Sequence, residues 1–129
     1  MDASRLRQQA WGYFTELKRL KEQLLTRKPM ARGTVYELKR KCGKKTCRCT
    51  KGDLHKQMCI AITRKGKKTL RPLKGEELIS LEKFTEFHRQ FRKARASFIN
   101  LCKEIVRLAN QLEEEMIQEG ERCLKKKSK

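Results

Sequence analysis

The stretch that decides the fold is Cys42-Gly43-Lys44-Lys45-Thr46-Cys47-Arg48-Cys49-Thr50-Lys51-Gly52-Asp53-Leu54-His55-Lys56-Gln57-Met58-Cys59. Its pattern is C-x4-C-x-C-x5-H-x3-C. Five metal-competent side chains fall within 18 positions. A tetrahedral metal such as zinc needs four soft or borderline donors that one loop can gather, commonly thiolates completed by imidazole. Gly43 and Gly52 let the loop wrap, and the surrounding Lys and Arg side chains favour thiolates. Cys42, Cys47 and Cys49 form the core of the expected set. Either His55 or Cys59 supplies the fourth donor.

The sequence on either side of this loop explains why a clip is needed. Gly33 to Arg40 reads as a strand, with β propensity from Val35 and Tyr36. Met58, Ile60 and Ile62 alternate with Cys59, Ala61 and Thr63, as in a second strand. Arg64-Lys65-Gly66-Lys67 reads as a hairpin turn, and Lys68 to Pro72 as the return. Such a β unit is too short and too polar to fold unaided. One Zn2+ per chain would turn binding energy into folding energy.

Helices flank the unit. Leu6, Ala10, Tyr13, Leu17, Leu20 and Leu24 make an apolar seam in a helix expected from about Asp2 to Arg27, widened by Trp11, Phe14 and Leu25. Asp2 or Ser4 suits its N-cap, and Lys28-Pro29 ends it. From Glu76 to about Glu119 there is no Pro or Gly, and one heptad frame holds throughout. Its columns are Phe84, Phe91, Phe98, Ile105, Leu112 and Phe87, Ala94, Leu101, Leu108, Glu115, a coiled-coil pattern. Phe84, Phe87 and Phe91 are expected to pack on the first helix, leaving Phe98 to Leu112 for another copy, a partner or a folded-back helix. Gly120 is expected to end the long helix, with a disordered basic tail after it.

The fold class is therefore α+β: an N-terminal helix, a small zinc-clipped β-hairpin head, and a long C-terminal helix completing an antiparallel stalk. The segments are 1–28 (stalk helix), 29–74 (basic ribbon-like head), 75–119 (long helix) and 120–129 (tail).

Charge follows the same division. The 129 residues hold 34 Lys+Arg and 15 Asp+Glu, a formal net charge of +19. Residues 39–74 alone hold 14 basic and 1 acidic side chains, net +13. An acidic partner is implied, and nucleic acid is the commonest. The candidate phosphate contacts are Lys39, Arg40, Lys41, Lys44, Lys45, Arg48, Lys51 and Lys56 around the loop, with Arg64, Lys65, Lys67, Lys68 and Arg71 on the hairpin. Tyr36 is the head's lone aromatic, so backbone or shape recognition of DNA or structured RNA fits better than base stacking.

Several classes are excluded. Charged residues are 38% and hydrophobic residues 37% of the chain, too little apolar material for a broad two-layer enzyme core. No apolar run reaches the ~18 residues of a membrane span. The first residues lack the apolar stretch of a secretory signal, so a cytoplasmic, even nucleoid-associated, protein is expected, with cysteines as ligands or thiols rather than disulfides. There is no phosphate loop, paired-carboxylate motif or Asp cluster, and His88, Cys102 and Cys123 stand apart from any catalytic partner. An enzyme is not expected.

The run GTVYELKRKCGKKTCRCTKGDLHKQMCIAITRKGKKTLRPL resembles a small, functionally uncharacterised domain family of bacteria and archaea. The resemblance spans about residues 30–115. Its specific part is Cys42, Gly43, Lys44, Cys47, Cys49, Gly52 and His55. It implies Cys42, Cys47, Cys49 and His55 as the metal site, then a hairpin and a long helix. The family's Gly-Pro-aromatic run near the His is replaced here by Lys56-Gln57-Met58, which keeps Cys59 open as a ligand. Members are often encoded beside transposases and other mobile-element genes. This implies an accessory role beside a recombinase, transposase or nuclease. The competing expectation is an assembly subunit whose coiled-coil stalk docks a partner enzyme or a second copy, the head only supporting it.

Overall fold

The computed structural model describes residues 2–52 and 54–127. Its order is helix, three strands, helix, the expected α+β class. Helix α1 spans Ala3–Leu24, and the Asp2 carboxylate caps it by accepting from the Arg5 N–H at 2.9 Å. Among the seam residues, Leu6 and Leu20 are buried and Ala10, Tyr13, Leu17 and Leu24 half-buried. Trp11, Phe14 and Leu25 do not widen the seam. They are exposed, Trp11 by 76%. The reason is helical geometry: at 100° per residue Trp11 lies well away from the arc shared by Leu6, Tyr13 and Leu20.

Strands β1 (Thr34–Arg40), β2 (His55–Arg64) and β3 (Lys67–Pro72) form one antiparallel sheet in the order β1-β2-β3. β1 pairs with β2 from Thr34 opposite Ala61 to Arg40 opposite His55. The chain enters this pairing at Gly33, where φ is +123°. A side chain there would begin 2.9 Å from the Ala61 carbonyl oxygen, so only glycine fits. Between β2 and β3, Arg64 faces Lys67, and the two intervening residues have φ of 50° at Lys65 and 78° at Gly66. Positive φ at both central positions is the type I′ turn, whose twist matches that of the flanking strands. Cys59, Ile60 and Leu73 are buried, and the Leu73 N–H donates to the Met58 carbonyl at 2.9 Å.

Helix α2 runs Gly75–Lys127, 53 residues. Glu76 and Glu77 occupy its first turn and Lys125 to Lys127 its last, the arrangement that complements the helix dipole. The expected stop at Gly120 and the disordered tail after it are corrected: helix continues through Gly120. An exposed glycine inside a helix costs only about 1 kcal/mol, and the Glu119–Arg122 ion pair (2.7 Å) bridges it. The last two residues of the expected tail, 128–129, lie outside the described residues.

The chain divides into two compact units. One joins α1, through Thr26, with α2 from Phe91 onward. The other is Arg27–Gln90, comprising the sheet and the start of α2. In the helix-pair unit Leu6, Leu20, Ala94 and Leu108 are buried, with Phe91, Phe98, Leu101, Ile105 and Leu112 half-buried, so both heptad columns face inward. An Arg7 guanidinium nitrogen lies 3.1 Å from Met116 Sδ, and Gln9 shares a crevice with Leu108 and Gln111. The start of α1 thus meets the late part of α2, an antiparallel pairing.

The expected antiparallel stalk is present, but one part of the expected packing is corrected. Leu101, Ile105, Leu108 and Leu112 are buried or half-buried in the unit that contains α1, while Phe98 also borders an open apolar patch with Ile99 and Val106. Phe84 and Phe87 belong instead to the sheet unit. There the connector after α1 takes their surface: the Ala31 N–H donates to the Phe84 carbonyl at 3.1 Å, and the Lys28 ammonium lies 4.9 Å from the Phe87 ring centroid. No helix among the described residues is long and apolar enough to cross a membrane.

Candidate metal centre

The loop between β1 and β2 carries the site. Cys42 lies just past the end of β1, and His55 opens β2, directly after the loop. β1–β2 pairing places Arg40 opposite His55, so the sheet itself brings the two ends of the loop together. Inside the loop a short 3-10 turn, Arg48–Lys51, starts after Cys47 and contains Cys49. Thr50 fixes the turn: its backbone N–H and its hydroxyl both donate to the Cys47 carbonyl, at 3.2 and 2.7 Å.

Cys42, Cys47, Cys49 and His55 converge, with all four donor atoms within 4.8 Å of one another. Cys42 Sγ and Cys49 Sγ are 3.5 Å apart, and Cys47 Sγ is 3.0 Å from His55 Nε2. The sulfur pair is far beyond the ~2.05 Å of a disulfide, and all six cysteines are free. Cys49 is fully buried, and the Cys42 N–H points at its sulfur at 3.3 Å. These four residues can hold one metal ion.

The electrostatics suit that task. The Lys44 backbone N–H, helped by the Cys47 and Cys49 thiols, holds Cys42 below the ordinary thiol range. Cys49 is moved the other way. The Cys42 N–H pulls it down, but burial and the neighbouring Cys42 and Cys47 sulfurs together outweigh that pull and raise it. Crowded thiols resist losing all their protons unless a cation arrives to compensate.

The fourth donor is resolved in favour of His55. Cys59 lies four residues further along the same strand, about 13 Å away at 3.3 Å per residue, so one small site cannot use both. The Cys59 thiol is buried against Tyr36, whose phenol is raised by burial first and by its hydrogen bond to Cys59 second. Tyr36 stands directly opposite Cys59 in the β1–β2 register, which ties the head's aromatic to the sheet.

All thirteen expected phosphate contacts, Lys39 through Arg71, are exposed. They are not equally available. Arg71 forms an ion pair with Glu77, which ties its guanidinium to the first turn of α2. Lys39 stands opposite Lys56, an unfavourable like-charge pair across strands. Arg40, Lys41 and Lys56 line a cleft beside Cys42 and His55, together with Gln57 and Lys74. Gln57 and Lys74 were not singled out by sequence reasoning. The signal for Lys74 was the hairpin register: β3 runs antiparallel to β2 and ends with Pro72 opposite Cys59, which carries the next residues toward His55. His88 and Cys102 are half-buried on α2, and Cys123 is exposed with its sulfur 3.8 Å from Glu119 Oε1. None of them joins the metal cluster.

A family model described as a domain of unknown function, DUF6788, matches residues 14–73. The match takes in the second half of α1, the whole metal loop and all three strands, and it stops where α2 is about to begin. No curated protein matches, and no solved structure does.

Proposed function

We propose that the protein is a zinc-binding accessory protein whose basic head holds nucleic acid by the phosphate backbone. One observation carries the reading. Four donors in a Cys3His arrangement sit within a unit holding 19 basic and 6 acidic side chains, net +13 over residues 27–90. Zinc at about 2.3 Å from each thiolate puts tetrahedral sulfur pairs about 3.8 Å apart; the Cys42–Cys49 separation of 3.5 Å needs only a small adjustment. Three thiolates and one imidazole are a donor set that favours zinc over magnesium or calcium. The metal is a structural clip with all four positions filled by protein, so the head has no open coordination site for catalysis.

Tyr36 is engaged with Cys59 and half-buried, which leaves the head without a free stacking platform. Phosphate contact by exposed Lys and Arg then dominates, giving binding that is strong at low salt and weakly sequence-dependent. The resemblance to a family encoded beside mobile-element genes supports service to a recombinase, transposase or nuclease already on DNA or RNA. The exposed Trp11 and Phe14 favour a second, compatible reading, in which the helix pair docks such a partner.

The test is a titration of metal-loaded protein against labelled duplex DNA and a structured RNA hairpin across salt concentrations. Affinity should fall by several orders of magnitude between about 50 and 200 mM salt. Absence of binding to both at low salt overturns the reading. Elemental analysis of freshly purified, reduced protein should find one zinc per chain.

A further inference from the structure

The cleft beside the metal donors has a composition that neither the metal nor the strands require. Arg40 at the end of β1, Lys41 after it, Lys56 in β2 and Lys74 between β3 and α2 converge on an open cleft of about 620 Å³. Cys42, His55 and Gln57 complete its lining, with no carboxylate among the described lining residues. All four cations are exposed. The Arg40 guanidinium donates to Gln57 Oε1 at 3.1 Å, which orients its fork and leaves other N–H groups free.

Charge counting shows what is missing. Zinc bound by three thiolates and a neutral imidazole carries one net negative charge, which offsets one of the four cations. Elsewhere in this unit the exposed Arg71 is neutralised by Glu77. Here, among the described residues, no carboxylate pairs with the remaining cations, and the excess suits something from outside. The volume lies in the ~300–1,000 Å³ range of ligand-sized clefts. A planar Arg fork beside several Lys point charges suits a multiply charged oxyanion with three or more acceptor oxygens, the geometry of phosphate.

We propose that this cleft is a phosphate-binding site and that it seats one backbone phosphodiester of the bound nucleic acid; the second half rests on the nucleic-acid reading above. A bound metal would hold the cleft in shape. Arg40 and Lys41 immediately precede the ligand Cys42, and Lys56 immediately follows the ligand His55. Fixing those two ligands fixes three of the four cations at once. Lys74 then closes the cleft from the other side of the sheet unit's sequence.

The experiment is calorimetric titration of metal-loaded, full-length protein with inorganic pyrophosphate, beside anisotropy titration with a 20-base-pair duplex and an RNA hairpin. The expected result is one saturable pyrophosphate site. Lys74→Ala should weaken it about tenfold or more, the equivalent of one charge-assisted hydrogen bond. Lys65→Ala with Lys68→Ala, on the hairpin away from the cleft, should leave it within about twofold. On the duplex, Lys74→Ala should lower the slope of log affinity against log salt by about 0.9. Lys74 is exposed and remote in sequence from every ligand, and its variant should keep its zinc by elemental analysis.

Failure is readable in two ways. If pyrophosphate does not saturate, or if the Lys74 and hairpin variants lose it equally, the cleft is not a phosphate site, even where DNA binds. If pyrophosphate binds and depends on Lys74 while neither nucleic acid binds, the phosphate site stands and the nucleic-acid reading falls.

Discussion

The sheet unit and the helix-pair unit solve the same problem with opposite means. Each must order a chain that is poor in apolar residues. The helix pair does so with long seams: Leu6 and Leu20 on α1, Ala94 and Leu108 on α2, each almost wholly buried. The sheet unit buries Cys59, Ile60 and Leu73, but its return strand is exposed along its whole length. It gathers most of the chain's positive charge, whose self-repulsion opposes compactness. What it has instead is a donor cluster closing the β1–β2 loop. A metal held by those four donors would supply the cross-link that the apolar seams supply in the helix pair.

The largest predicted effect breaks the comparison at the metal. Chelation, or Cys49→Ser, should unfold the sheet unit and leave the helix pair folded. Structural zinc contributes an apparent ~10–16 kcal/mol in small finger domains, comparable to or larger than the whole stability of a domain this size, about 5–15 kcal/mol. Circular dichroism should keep most of its helical signal at 222 nm while strand amides lose their NMR dispersion. Acid should act in the same direction, since protons compete for the donors. In the metal-free cluster, Cys49, with its raised pKa, takes up a proton at higher pH than Cys42, whose pKa is lowered. Strand amides that stay protected without metal would show that the sheet unit has a sufficient core after all.

The second effect is the mirror image. Leu108 is 2% exposed and faces inward from the second heptad column. Leu108→Ala should cost the helix pair about 2–5 kcal/mol, the usual range for a buried leucine. It should leave zinc stoichiometry unchanged. Thermal melting followed at 222 nm, with metal content measured in parallel, reads both. Loss of zinc in this variant would mean that the two units do not fold by separate means.

The two units also differed in how much of them could be read from sequence. In the sheet unit the turn, the strands and the ligands follow from local chemistry: Gly66 after Lys65, alternation through Ile60, thiols at loop spacing. The strand's length per residue shows only that His55 and Cys59 cannot serve one site; the convergence of His55 with the three loop cysteines makes the choice. The seams of the helices were equally plain, because 3.6-residue periodicity marks Leu6 and Leu108 without knowledge of the partner. Which seam meets which was not plain. Phe84, Phe98 and Leu112 lie in one column, and periodicity along one helix says nothing about where along it another helix sits. The connector after α1 settles that: Ala31 bonds to the Phe84 carbonyl and Lys28 lies over the Phe87 ring. Trp11 was misplaced for a related reason: aromatic character was allowed to outweigh its angular position. Lys74 escaped notice because a cleft is made by residues far apart in sequence.

The smallest effect sharpens the account of the sheet unit. Lys65 occupies the first central position of the hairpin turn at φ 50°, a conformation that Asn tolerates better than Lys. Lys65→Asn should therefore stabilise the metal-loaded sheet unit by about 0.5–1 kcal/mol. The substitution also removes one of several adjacent cations, with Arg64, Lys67 and Lys68 close by, so relief of repulsion could give the same sign. Lys65→Gln separates the two causes. It removes the same charge but gains nothing from the left-handed conformation. If melting of the sheet unit rises for Asn and not for Gln, backbone conformation is the source. If both rise equally, charge crowding is the source, and the hairpin, like the cleft, carries an electrostatic strain that a bound anion would relieve. The salt dependence then gives the final discrimination: a gain from charge removal shrinks as added salt screens the hairpin, whereas a gain from backbone conformation does not.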